Sequence, residues 1–180
     1  AGMKALEPYL NDPDCLTSRR KEIARRLEGI ETLVPGTKAP EIRLNSPDGV
    51  PFSLYGYSPS ARYIVLLFWS ADCSHCKEVI EALYPWQQDQ QIRSQLSVVA
   101  ISLDEADSEV SAWQEVRQEY RNWLHLRAEE GVRSKVAADY YILSTPQMIL
   151  LDTETKEIID MPGTPERLND IIQLKMLNDN

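Results

Sequence analysis

From Arg62 to Trp69 the chain is an almost unbroken apolar run. It is strand-sized, well short of the roughly 20 residues that a membrane-spanning helix needs. With so few polar positions it fits a β-strand covered on both faces rather than one with a wet side. A strand of that kind needs a layer of structure above it and another below. That requirement excludes an all-helical bundle and points to an α/β chain.

The flanking segments supply those layers. Leu96 to Leu103 reads as a second buried strand. Trp123 to Arg127 reads as a short strand and Pro146 to Asp152 as another, with Thr153 to Lys156 turning the chain into an antiparallel partner at Glu157 to Asp160. Helical spacing recurs between them. Ser74 to Gln90 carries Cys76, Val79, Ile80 and Leu83 on one face, with Pro85 expected to kink it. Glu105 to Tyr120 carries Val110, Trp113, Val116 and Tyr120, and Val132 to Tyr141 is a further helix. Pro165 to Leu177 closes the chain with Leu168, Ile171 and Ile172 inward. Helices between buried strands imply parallel crossovers, and the late hairpin adds antiparallel strands. The expected fold is therefore α/β, a central mixed sheet flanked by helices.

Ahead of this body, Arg19 to Leu33 has the spacing of an amphipathic helix, through Ile23, Leu27, Ile30 and Val34, and a shorter helix is expected around Ala5 to Leu10. Pro35-Gly36-Thr37-Lys38-Ala39-Pro40 breaks the pattern. The expected division is residues 1–34 as a helical extension and residues 35–180 as the main domain, the extension standing as a tether or as the end of an upstream module. Glu41 to Asn45 and Val50 to Leu54, joined by Ser46-Pro47-Asp48-Gly49, read as a β-hairpin at the start of the main domain.

The net charge of −9 disfavours nucleic acid and anionic membrane surfaces as partners, since both are held by clustered Lys and Arg. No basic stretch followed by an apolar one marks a signal peptide in Ala1-Gly2-Met3-Lys4. Cys15 follows Asn11-Asp12-Pro13-Asp14, which lacks the small and apolar residues of a lipid-modified cysteine, and it reads as a spare thiol.

The chemistry lies in Cys73-Ser74-His75-Cys76, which follows the most buried strand and opens a helix. Free N–H groups at a helix start stabilise an anion, so a thiolate there is favoured and reactive near neutral pH. Cys73 is expected at the exposed lip and Cys76 one turn deeper. Cys73 attacks a substrate disulfide and Cys76 resolves the mixed disulfide. A zinc site would need two more ligands, and Cys15, His75 and His125 stand at irregular spacing, so no metal is expected. The redox-active Cys73–Cys76 disulfide is the only cofactor-like element required. Trp86, Trp113 and Trp123 read as core residues, His125 as an ordinary side chain near a strand, and the acidic faces as solvated surface.

The run Ile64-Val65-Leu66-Leu67-Phe68-Trp69-Ser70-Ala71-Asp72-Cys73-Ser74-His75-Cys76-Lys77 resembles the active-site signature of the thioredoxin superfamily. Gly36-Thr37-Lys38-Ala39-Pro40 and the hairpin after it resemble the opening of the TlpA/ResA-like, AhpC/TSA-related branch. Ser144-Thr145-Pro146-Gln147-Met148-Ile149-Leu150-Leu151-Asp152 resembles the superfamily's cis-proline strand. The resemblance implies a thioredoxin-like fold in which Pro146 is cis and faces the dithiol. It also implies that the Thr145 backbone pairs with an extended substrate, that Trp69 lies beside the dithiol, and that Ser74, His75 and Asp72 shape the site. It further implies thiol–disulfide exchange with protein thiols and disulfides, an unidentified redox partner, and export to the periplasm or the face of the cell envelope.

The departures from the family pattern are specific. Asp72 stands where many relatives have Trp, and a carboxylate there opposes thiolate formation. Leu67 occupies the place of the buried Asp of thioredoxin-type proteins, and Val79 that of the Glu of ResA-like ones. His75, placed as in DsbA-type proteins, favours the thiolate and a higher reduction potential. Two alternatives stay open. A thiol peroxidase of peroxiredoxin type would carry Pro and Thr where Leu66 and Ser70 stand, and a non-enzymatic binding module would have kept the fold without needing intact cysteines.

Overall fold

The computed structural model describes residue 8, residues 17–105 and residues 107–178. Helix α1 spans Thr17–Thr32, strands β1 and β2 span Arg43–Asn45 and Pro51–Ser53, and β3 spans Tyr63–Trp69. Helices α2 (Ser74–Gln87) and α3 (Gln90–Gln95) precede β4 (Leu96–Ser102), which is followed by α4 (Asp107–Glu119) and β5 (Leu124–Arg127). A 3-10 turn at Gly131–Arg133 leads to α5 (Lys135–Asp139), β6 (Gln147–Asp152), β7 (Ile158–Asp160) and α6 (Pro165–Asn178). The short helix expected around Ala5 to Leu10 lies, but for Pro8, outside the described residues, as does Cys15. Among the described residues no helix is long and apolar enough to cross a membrane.

The five-stranded sheet has the order β5-β4-β3-β6-β7, and β1 and β2 form a separate antiparallel hairpin. Strand β3 pairs in parallel with β4 and antiparallel with β6; β4–β5 is parallel and β6–β7 antiparallel. The sheet is therefore mixed, with β3 at its centre. Beyond β7 the chain covers its own edge: Gly36 N donates to Ile158 O at 2.8 Å, Ile158 N to Thr37 O at 2.8 Å, and Ala39 N to Lys156 O at 2.9 Å.

Every residue of β3 is buried, and its pleat divides them between two cores. Tyr63, Val65, Leu67 and Trp69 face one core with α2, α4 and α6, where Cys76, Leu83, Trp113 and Leu168 pack. Ile64, Leu66 and Phe68 face the other, with Val136 and Ala137 of α5, Ile42, and Leu33 just past α1. Each fully buried aliphatic side chain contributes about 1.5–3 kcal/mol. Within α2 the buried positions are Cys76, Val79, Ile80, Leu83 and Gln87, and in α6 they are Leu168, Ile171 and Ile172.

Two helices differ from the sequence expectation, each because a polar side chain caps a new start. The expected helix Ser74 to Gln90 ends at Gln87, since Asp89 accepts from Gln91 N and Ile92 N and opens α3. The expected helix Val132 to Tyr141 is split at Ser134, whose hydroxyl accepts from Ala137 N at 3.2 Å and begins α5. Helix α1 packs on the segment after α5. A Cβ on Gly29 would lie 2.8 Å from Tyr141 Cβ, so only glycine allows this approach. Tyr141 itself has φ of +51°, in the left-handed region that non-glycine residues rarely adopt.

At the C-terminal ends of β3 and β4 a wholly buried carboxylate joins the strands. Asp104 Oδ1 accepts from Ser70 Oγ and Ala71 N, both at 2.8 Å, and Oδ2 accepts from Ser102 Oγ at 2.6 Å. In β5 the buried His125 donates from Nε2 to Tyr120 O at 2.9 Å, while Nδ1 has no partner among the described residues. Burial, the largest cause, pushes its pKa below the ordinary 6.5; the nearby Arg117 acts in the same sense, against the Tyr120 hydrogen bond.

Two outcomes follow. Asp104→Ala leaves the buried Ala71 N–H and Ser102 hydroxyl without their acceptor and releases the half-buried Ser70 hydroxyl, and its denaturant midpoint should correspond to a loss on the order of 2–3 kcal/mol. For His125 the native site refuses a proton that the unfolded chain accepts, so stability is full above about pH 6.5 and falls as pH drops below it. The slope for this one proton cannot exceed about 1.4 kcal/mol per pH unit. His125→Gln, which keeps a donor for Tyr120 O, should flatten that dependence in denaturation curves between about pH 5 and 7.

Candidate active site

Residues 70–73 carry the chain from the end of β3 into α2, and Asp104 grips the first two of them. Cys73 N donates to Ser70 O at 3.2 Å, which closes the turn. Cys73 is the N-cap residue of α2, with extended backbone angles, and its sulfur accepts from Cys76 N at 3.2 Å. A capping sulfur sits where a helix start concentrates its unpaired N–H groups. Cys73 and Cys76 form a disulfide, with Cα atoms 5.2 Å apart. Cys76 is wholly buried in the core that holds Trp69, and Cys73 is half-buried. Of the two sulfur-bearing residues, Cys73 is thus the one that solvent or a partner can reach.

The second wall of the site follows from strand register. Because β3 and β6 are antiparallel, Phe68 faces Gln147. The residues just before β6 therefore lie beside those just after β3. The Thr145–Pro146 peptide bond is cis, and Thr145 O lies 3.6 Å from Cys73 Sγ. The oxidised sulfur carries no proton, so this is a contact that becomes a thiol–carbonyl hydrogen bond only on reduction. Thr145 and Pro146 are partly exposed.

The remaining candidates spread around this centre. Trp69 is fully buried beneath the dithiol, and its Nε1 has no hydrogen-bond partner among the described residues. It shapes the site from below and has no surface to offer a substrate. Asp72 and Ser74 are exposed at the rim. His75 is exposed and its Nδ1 lies 3.0 Å from Glu78 Oε2, one helical turn on. Its imidazole is therefore engaged with a carboxylate rather than directed at the sulfur alone. Among the described residues no three His, Cys, Asp or Glu side chains gather as a metal-holding group.

Asp104 is the site residue that sequence reasoning missed. The signal was present in Ser102 and Asp104, two polar residues at the end of an otherwise apolar strand. Nothing short of the β3–β4 register, which sets Trp69 opposite Ser102, aims them at the dithiol loop.

Comparison with known proteins gives a consistent outcome. A thioredoxin-like protein from Bacteroides caccae superposes with a TM-score of 0.73 at 23% identity over 96% of this chain. This chain spans 61% of that protein's length. A thiol-disulfide oxidoreductase from Bacteroides fragilis, 26% identical, matches with a TM-score of 0.65 over 78% of this chain and 99% of its own. The thioredoxin domain of a thiol-disulfide oxidoreductase from Bacteroides vulgatus, 22% identical, gives 0.65 over 79% of this chain and 97% of its own. No curated protein sequence matches. The thioredoxin-like family profile matches residues 61–157, just over half of the chain. That span begins ahead of β3 and ends at the foot of β7, taking in the dithiol and the Thr145–Pro146 loop together, and the chain belongs to the thioredoxin-like family.

Proposed function

We propose that this protein is a thiol–disulfide oxidoreductase that exchanges disulfides with protein substrates through Cys73 and Cys76. The observation that carries the reading is the pairing of a reachable and a buried cysteine at the first turn of a helix, under a carbonyl that a bound chain could share. In the reducing direction, the Cys73 thiolate attacks one substrate sulfur and expels the other as a thiolate. The Cys76 thiolate then attacks Cys73 Sγ and expels the first substrate sulfur. The substrate gains two electrons and two protons; the protein loses two electrons and both thiol protons and becomes the disulfide seen here. The oxidising direction is the same sequence reversed. The dithiol is the whole redox machinery in this reading, and a second redox partner resets it.

Several features support exchange over peroxide reduction. Ser70, which stands where a peroxiredoxin carries its Thr, has its hydroxyl committed to Asp104 at 2.8 Å. The sulfur of Cys73 is capped by Cys76 N–H rather than by a side-chain hydroxyl. Export to the periplasm or to the face of the cell envelope belongs to the same proposal and rests on the TlpA/ResA-like resemblance. So does the division into a helical extension over residues 1–34, a tether or the end of an upstream module, and a main domain over residues 35–180. The net charge of −9 agrees with partners other than nucleic acid.

The experiment is mechanistic trapping. With a disulfide-bonded protein substrate, Cys76→Ser should accumulate a mixed disulfide on non-reducing gels, and Cys73→Ser should accumulate none. Insulin reduction by the native chain should be lost in both variants. Trapping by Cys73→Ser instead would reverse the roles, and an inactive native chain would remove the reading. In a Cys15→Ser, Cys76→Ser background, thiolate absorbance should titrate below the free-cysteine value of about 8.5, because helix N–H groups hold the anion. His75→Ala should raise that midpoint and Asp72→Asn lower it.

A further inference from the structure

Flanking the Thr145–Pro146 loop lies a feature that exchange chemistry alone leaves unused. A pocket of about 310 Å³ opens between α1 and the segment leading into β6. Gly29 and Leu33 line it on one side, Tyr141 and Leu143 on the other, with Met161, which is 38% exposed, also in its wall. Tyr140 lines it too, as do Ser144 and Gln147, the residues on either side of Thr145–Pro146. Arg26, at its edge, is held by Glu22 at 3.1 Å. A larger cavity, about 1070 Å³ between the β1–β2 hairpin and α5, is lined by no residue from Leu143 to Gln147.

The walls of the smaller pocket are built under constraint. Gly29 leaves room for Tyr141 where any Cβ would collide at 2.8 Å. Tyr141 holds a φ of +51°, a conformation that costs about 1–3 kcal/mol and persists where its surroundings over-determine it. The pocket lies at the small end of ligand sites, about 300–1,000 Å³, so it suits a single side chain better than a cofactor. Its walls are mainly apolar, and an apolar group that leaves water for such walls gains about 25 cal/mol per Å² buried.

Position names the occupant. Thr145 O is 3.6 Å from Cys73 Sγ, and the pocket's lining begins one residue to either side of Thr145–Pro146. A substrate cysteine joined to Cys73 brings its own neighbours over that lining, since an extended chain advances about 3.4 Å per residue. We infer that this pocket is a specificity subsite for an apolar side chain within two positions of the reactive cysteine in a protein substrate. The extension helix α1 is then part of substrate recognition. The inference rests on the exchange reading above.

The test uses the full chain, reduced, and short peptides whose single cysteine is capped as a thionitrobenzoate mixed disulfide. The peptides differ only in carrying Leu, Phe or Ser two positions from that cysteine. Attack by Cys73 releases thionitrobenzoate, read by its absorbance. The Leu peptide should react about tenfold faster than the Ser peptide, the discrimination an apolar pocket gives. Met161→Trp, which fills the pocket, should bring that ratio close to one. Leu143→Ala, which deepens it, should shift preference from Leu to Phe. Equal rates for Leu and Ser in the native chain, or a Leu preference untouched by both variants, would overturn the subsite and leave the exchange reading standing. No release from any peptide, nor from glutathione capped in the same way, would sink the exchange reading and the subsite with it.

Discussion

Strand β3 touches water on neither face, and the rest of the molecule is arranged to keep it so. Tyr63, Val65, Leu67 and Trp69 need one cover, and Ile64, Leu66 and Phe68 need another. The first is met by α2, α4 and α6, the second by α5 and the chain around Leu33 and Ile42. Neighbouring strands on both sides take up its backbone hydrogen bonds. A strand held that way cannot shift its register without turning one core inside out. Whatever follows Trp69 is therefore delivered to a fixed place.

The candidate active site takes advantage of that fixity from three directions. Strand β3 delivers the loop that ends at Cys73. The parallel neighbour β4 delivers Asp104 to the same end, because parallel strands finish together. The antiparallel neighbour β6 begins where β3 stops, so Thr145 and Pro146 arrive from the opposite direction. A dithiol, a buried carboxylate that grips its loop, and a carbonyl beside its sulfur thus meet although they are far apart in sequence. Cys76 also packs in the core that holds Trp69, so the cysteine pair and the packing around Trp69 share atoms.

How much of this could be read from the residues depends on the distance over which each feature is decided. The apolar run, the Cys-x-x-Cys pair opening a helix, the hairpin around Asp48-Gly49 and the inward faces of α2 and α6 are local patterns, and the structure contains them. The breaks at Asp89 and Ser134 were harder. Both residues sit in stretches with acceptable helical spacing, and only the capping hydrogen bonds show that a new helix starts there. Asp104 and the pocket under α1 were out of reach, because the first depends on strand register and the second on Gly29 meeting Tyr141 across more than a hundred residues. His125, read as an ordinary residue near a strand, is buried with one ring nitrogen unpaired among the described residues. The sequence shows a histidine, and only the packing shows that burial disfavours its charged form.

The pairing of Gly36, Thr37 and Ala39 with the outer side of β7 bears on how the molecule behaves in company. An open sheet presents two rows of unpaired amides, and each is a template on which another chain can add a strand. Here the β7 row is already occupied by the protein's own linker, which lies across it much as a selvedge finishes a cloth. Among the described residues the opposite margin is β5, four residues long and interrupted by His125 and Arg127. An enzyme proposed to handle unpaired, extended segments of other proteins thus shields one border of its own sheet and keeps the other short. Under the proposed function, that arrangement steers contact with client chains away from the sheet margins and toward the sulfur.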